Sequence, residues 1–281
     1  MVKSTPQFTH RRRPFLPEII THCIAEFIGV FLYVLPGEAA TAGFLLSSAS
    51  KTAGLGDLLN IGIACGIVLA ITLTHVSGPH LSPGVTIAVT VLKGFPLWKV
   101  IPYIMSQMLG AIAATLCIYG VYDHSFRKVE QGLVMLGKKN LVISPSGPGG
   151  VGAILPGESH DLGHTILGLT IFGALDRNNP VLSPTSIPYL IGMAYLIAII
   201  GFAPNTVVLN TARGLGGQIA TSMIYGAEVF ENKSFIVMAT LTNIPATLLG
   251  GLLYKCFLEN NDPPTEIKST NYDNAPSTRH A

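Results

Sequence analysis

Charge is what this sequence has least of. Its 281 residues include 17 Lys and Arg and 15 Asp and Glu, 11% of the chain, where soluble domains carry roughly 25%. The scarcity is also uneven. Lys3, Arg11, Arg12, Arg13 and Glu18 fall in the first 18 residues, six more charges fall in residues 259–281, and only 21 serve the 240 residues between. A soluble domain of that size cannot cover its surface with so few charges, whereas a chain surrounded by lipid needs no more. The net charge of +2 gives no basic surface for nucleic acid. Cysteine is scarce too. Cys23, Cys65, Cys117 and Cys256 show no disulfide-framework, metal-ligand or redox spacing, and read as buried free thiols. No Ser/His/Asp set, paired-Asp motif or HExxH is present, so no enzyme, metal or cofactor is expected.

What is present in quantity is apolar sequence, 49% of all residues. A membrane-crossing helix needs about 20 mostly apolar residues. Uncharged runs cover residues 58–92 and 178–212, 35 residues each, residues 100–122 and residues 234–254. A further run at 19–46 is interrupted only by Glu26 and Glu38. The weakest, residues 162–175, spans 14 residues and must borrow polar flanks. The count is six spans.

Each 35-residue run is too long for one crossing and too short for two, and each breaks near its far end. The first carries Ser77-Gly78-Pro79-His80-Leu81-Ser82-Pro83-Gly84-Val85-Thr86, and the second carries Leu209-Asn210-Thr211-Ala212-Arg213. Ser82 and Asn210 are strong N-cap residues, and Pro83 suits the first helical position, where its missing N–H costs nothing. The reading is a helix that ends, a short irregular segment and a new half-helix. Irregular backbone at membrane depth is tolerated only inside protein or beside a watery cavity. Two such breaks 128 positions apart indicate an inverted three-span repeat with half-helices meeting at the midplane.

With these motifs the chain resembles the aquaporin and glycerol-facilitator family. That family carries two Asn-Pro-Ala half-helix motifs, and the segments above match them with departures: Ser82, Pro83 and Gly84 in the first, Asn210, Thr211 and Ala212 in the second. Ala25-Glu26-Phe27-Ile28-Gly29, Gln107-Met108-Leu109-Gly110-Ala111 and Asp176 match its helix motifs, and His160 stands for the Glu of its fourth helix. The resemblance implies an all-α membrane fold of six spanning helices plus two re-entrant half-helices. It divides the chain into an N-terminal tail (1–18), a channel domain (19–258) and a C-terminal tail (259–281). The channel domain comprises repeat one (19–122), an outer loop (123–161) and repeat two (162–258).

The resemblance also implies roles. Arg213, the single basic residue of its region, belongs to an outer constriction, where it donates hydrogen bonds and adds positive charge against cations. Counting along the family pattern gives Gly62, Ala198 and Val207 as the other filter residues. None is aromatic or His, which leaves the filter wide and apolar on three sides. Glu26 and His80 brace the first loop. His75 either lines the cytoplasmic vestibule as a pH-sensitive group or packs as an ordinary His. The function implied is a passive channel for water and small uncharged solutes, namely glycerol-like polyols with urea and hydrogen peroxide as further candidates. The alternative is the same fold with a closed pore in a structural or adhesion role. The implied assembly is a homotetramer in the lipid bilayer, most simply the plasma membrane, with an intracellular membrane as the alternative. Cytoplasmic termini agree with a bias of ten basic residues on that side to six on the other, as the positive-inside rule requires.

Overall fold

A computed structural model describes residues 17–50, 57–75, 80–156, 162–176, 178–179, 182–202 and 208–259, apart from the side chains of residues 58, 70–75 and 162. Among these residues the regular structure is helical throughout, with no strand. In chain order the helices are α1 (Glu18–Ser50), α2 (Leu58–His75), α3 (Pro83–Lys93), α4 (Leu97–Met135), α5 (Leu162–Ala174), α6 (Ile187–Phe202), α7 (Thr211–Tyr225), α8 (Lys233–Leu241) and α9 (Asn243–Phe257). Three stretches are by themselves long and apolar enough to cross a membrane: α1, α4 and the α8–α9 pair. The shorter α2, α5 and α6 complete the six spans, and α3 and α7 are the half-helices.

The packing repeats between the halves. α1 lies along α4 as α5 lies along α9; α3 packs on α9 as α7 packs on α4; α2 packs on its own counterpart α6. These seams are close because small residues line them. A Cβ on Gly110 would overlap the Phe27 carbonyl across the α1–α4 seam, and one on Gly250 would overlap the Thr165 carbonyl across the α5–α9 seam. The main core lies between the helices and includes Val30, Tyr33, Ala111, Leu167, Ala194 and Leu209. Outward faces carry apolar residues such as Ile20, Ile24, Ile28 and Leu32, one helical turn apart on α1. All four cysteines are free, but Cys117 and Cys256 are exposed, not buried as expected. Each belongs to an apolar helix, where lipid accepts a thiol as readily as a protein core does.

The outer connection differs from the expected loop. α4 runs to Met135, well past the charge at Asp123. Asp123 pairs with Arg127 one turn on at 2.8 Å, in the favourable acid-before-base order. Phe126, beside this pair, is buried and stacks on Tyr122. The remaining segment folds back into the protein. Val151, Ala153, Ile154 and Leu155 are buried, the Tyr119 hydroxyl donates to the Pro148 carbonyl (3.0 Å) and the Ile154 N–H donates to Gln218 Oε1 (2.6 Å).

Candidate functional site

The two half-helices begin face to face. Ser82 and Asn210 both sit at the N-cap in extended backbone, with φ −151° and −146°, and Pro83 and Thr211 open the helices. Asn210 caps in the expected way: its Oδ1 accepts the Ala212 N–H at 2.9 Å, and its amide donates to the Leu81 carbonyl at 2.6 Å. That second bond crosses from one half of the chain to the other. It finds its acceptor because Leu81 turns at φ +56°, the one positive φ outside glycine among the described residues.

Ser82 makes no side-chain cap bond. Its hydroxyl donates instead to Oδ1 of Asn243 (3.3 Å), the first residue of α9. The Thr211 hydroxyl lies 3.3 Å from the same oxygen and 2.9 Å from the Thr240 carbonyl, while the Asn243 amide donates to the Leu209 carbonyl at 2.9 Å. Asn243 thus ties the start of α3, the start of α7 and the segment before Asn210 to one fully buried side chain. Gly84 belongs to the same arrangement, because a Cβ there would overlap the Asn243 amide. The helix reaches inward here because Pro245 lacks the N–H that would bond Leu241, so the sixth span breaks between α8 and α9.

Each loop is gripped from behind. In the first half, Glu26, wholly buried on α1, accepts the N–H groups of His80 (2.6 Å) and Leu81 (2.8 Å) and the amide of Gln107 (2.7 Å). Thr86 donates its single hydroxyl proton to the Ser82 carbonyl (3.0 Å). It therefore accepts from Gln107 and from Nδ1 of His80, at 3.1 and 3.2 Å, so Nδ1 carries the His80 proton. The His80 ring is further held against Phe95 and Tyr103. In the second half the residue reaching the loop from α5 is His164, whose Nε2 meets the Val208 carbonyl. A carbonyl only accepts, so that nitrogen carries the proton. One brace takes hold of N–H groups and the other of a carbonyl. His160 lies outside the described residues.

Arg213 stands in the first turn of α7. Its Nη2 donates to the Val151 carbonyl of the infolded outer segment at 3.1 Å, and its Nε lies 3.9 Å from Oε1 of Glu38 on α1. Of the other expected filter residues, Gly62 faces α6, where a Cβ would sit 2.9 Å from Leu196. Ala198 is buried in the core opposite Gly163. Val207 and the His75 side chain lie outside the described residues. An aromatic pair, which no motif in the sequence marks, also belongs here. Tyr33 of α1 and Tyr195 of α6 meet edge to face with centroids 5.6 Å apart. α1 packs along α4 and α2, and α6 along α2 and α5, so the rings bridge the space between two helices that are not themselves closely packed. A signal was available: Tyr33 lies two turns from Glu26 on the same face, and Tyr195 lies one turn from Ala198.

Comparison with known proteins agrees with this geometry. Residues 16–254 match the family model for major intrinsic protein. An aquaporin of Laccaria bicolor is 37% identical over 254 residues, covering 85% of this chain and 82% of that one. Aquaglyceroporin-3 of Trypanosoma brucei brucei is 32% identical, covering 84% and 78%. In fold the chain is similar to the aquaglyceroporin of Plasmodium falciparum, solved by X-ray crystallography, with a TM-score of 0.64 at 24% identity over 85% of this chain and 96% of that one. Six spans, two opposed half-helices and a family match across nearly all the described residues lead to one conclusion: the chain belongs to the major intrinsic protein family of integral membrane channels.

Proposed function

We propose that this channel passes water and small uncharged solutes of the glycerol class, with urea and hydrogen peroxide as further candidates, and excludes ions. The observation that carries the reading is the junction of α3 and α7, where two helix N-termini meet through buried hydrogen bonds. Each N-terminus brings about half a positive charge, which repels cations at the centre while leaving donors for a neutral solute. Relatives named both aquaporin and aquaglyceroporin support a solute range wider than water.

The Tyr33–Tyr195 pair, whose rings meet 5.6 Å apart, is read here as the narrow point between that junction and Arg213. Neither hydroxyl bonds a described residue. Aromatic walls with hydroxyl groups suit the two faces of a polyol, its C–H side and its O–H side. The protein acts as a homotetramer with one pore per protomer, its outward apolar faces covered by neighbours and lipid. It works in the plasma membrane with both termini cytoplasmic. Stopped-flow light scattering on proteoliposomes under water and then glycerol gradients tests the reading. Faster relaxation than empty vesicles in both is the expected result, and no acceleration in either overturns it. Native mass spectrometry in mild detergent is expected to give four copies, and monomer alone across several detergents would refute the tetramer.

A further inference from the structure

The outer constriction also contains a buried acid. Glu38 lies on α1 and is 1% exposed. Its Oε1 accepts the Thr115 hydroxyl at 3.0 Å and lies 3.9 Å from Arg213 Nε. Its Oε2 is buried with no hydrogen-bond partner among the described residues. A charged side chain inside a membrane is costly and marks function more often than architecture, and a hydroxyl alone does not compensate a buried carboxylate. The backbone makes room for it. A Cβ on Gly217 would lie 3.5 Å from Glu38 Oε1 and would overlap the Gly152 carbonyl, so glycine at 217 lets α7, α1 and the infolded segment meet around the guanidinium. That guanidinium is held on two sides, by the Val151 carbonyl and by Glu38, and its side chain keeps 18% exposure.

We propose that Glu38 is a specificity-determining residue that positions Arg213 and cancels its charge, so that the outer constriction is close to electroneutral. A lone guanidinium would act on a passing ion as a full charge. Paired at 3.9 Å, it acts as a short dipole whose field falls off faster with distance. Arg213 then serves as a directed hydrogen-bond donor for neutral solutes, and cation exclusion rests on the opposed N-termini of α3 and α7. Removing Arg213 does more than delete a positive charge. It leaves a buried carboxyl without its counter-charge, which a proton neutralises in acid and which draws cations in when ionised.

This inference rests on the reading of the chain as an ion-excluding channel, and the test separates the two. Wild type, Glu38→Gln, Arg213→Val and the double variant are reconstituted in planar bilayers under a salt gradient in alkaline buffer, where a stranded carboxyl stays ionised, with glycerol flux measured on parallel vesicles. Arg213→Val is expected to raise cation conductance about tenfold or more and to move the reversal potential toward the cation. Glu38→Gln is expected to move it toward the anion. The double variant is expected to return cation conductance to within about threefold of wild type, since no uncompensated charge remains. A double variant as leaky as Arg213→Val overturns the inference, because the barrier was then Arg213's own charge. Arg213→Val as ion-tight as wild type overturns it too. A wild type without glycerol or water flux sinks the channel reading instead. Where these variants fail to reconstitute, Arg213→Met with Glu38→Leu gives the same comparison.

Discussion

Gly84 and Asn243 occupy one space, and that makes a sign prediction. In the family pattern the position of Gly84 is Ala. Introduced here alone, the methyl of Gly84→Ala would overlap the Asn243 amide. Overpacking of this kind costs about 1–3 kcal/mol, and displacing the amide weakens its bonds to Ser82 and to the Leu209 carbonyl, at about 1 kcal/mol each. Against this stands the gain from replacing glycine in the first turn of α3, about 0.5–1 kcal/mol. The single variant is therefore destabilised by roughly 2–4.5 kcal/mol on these terms. Asn243→Ala strands two buried groups, the Ser82 hydroxyl and the Leu209 carbonyl, at about 1–3 kcal/mol each. Thr211 keeps its bond to Thr240.

The double variant is the informative one. With the amide gone, the methyl added by Gly84→Ala enters the vacated volume. The 3.2 Å approach to the Asn243 backbone carbonyl remains, which a shift of a few tenths of an ångström relieves. Gly84→Ala should thus lower stability in the wild-type background and raise it in Asn243→Ala. Thermal unfolding of the detergent-solubilised protein reads this, at about 2–4 °C per kcal/mol for domains of 150–250 residues. The expected coupling is roughly 3–5 kcal/mol, well above the about 0.3–0.5 kcal/mol seen for independent sites. If Gly84→Ala has the same sign in both backgrounds, or the effects simply add, the clasp is not a shared volume and the reasoning fails.

Three further outcomes follow from the same contacts. Glu26→Gln replaces an acceptor oxygen with a donor facing N–H groups of His80, Leu81 or Gln107; it should cost about 1–3 kcal/mol and reduce water and glycerol flux together, and a neutral variant would mean that the first loop holds without its brace. Tyr195→Ala should raise the glycerol-to-water permeability ratio by opening the space now closed by the 5.6 Å ring contact; an unchanged ratio places the narrow point elsewhere. Gly250→Val should block assembly of the α5–α9 seam, because its side chain meets the Thr165 carbonyl; normal yield and thermal stability would show that the seam tolerates separation.

Much of the fold was readable because membrane helices are written in local terms: length, apolarity and the charges that end them. Residues 58–92 and 178–212 announced a crossing plus a half-helix, and Ser82 and Asn210 marked where the half-helices begin. The boundary that failed, at Asp123, failed for a local reason. Charges look like a loop when counted, but Asp123 and Arg127 lie one turn apart and support the helix they seemed to end. Cap residues could be named from sequence, whereas what Ser82 bonds could not be. Its partner Asn243 is 161 residues away.

The same distinction explains which residues stand out in the sequence. Glu26, His80, Asn210 and Arg213 sit in short motifs, so their chemistry shows in a window of a few residues. Glu38 was visible as a charge inside an apolar run, yet its meaning depends on an arginine on a different helix. Asn243 carried no signal beyond a polar residue near Pro245 in the sixth span. Seen one at a time, serine for asparagine, glycine for alanine and threonine for proline look like three losses from a conducting motif. Placed together around the Asn243 amide they become one exchange. The Ser82 hydroxyl donates to its oxygen and the Thr211 hydroxyl lies 3.3 Å from it, the glycine removes the methyl that would collide with it, and its own N–H holds the Leu209 carbonyl. The junction keeps its opposed helix N-termini, and with them the electrostatic barrier, by moving part of the clasp from the loops to the sixth span.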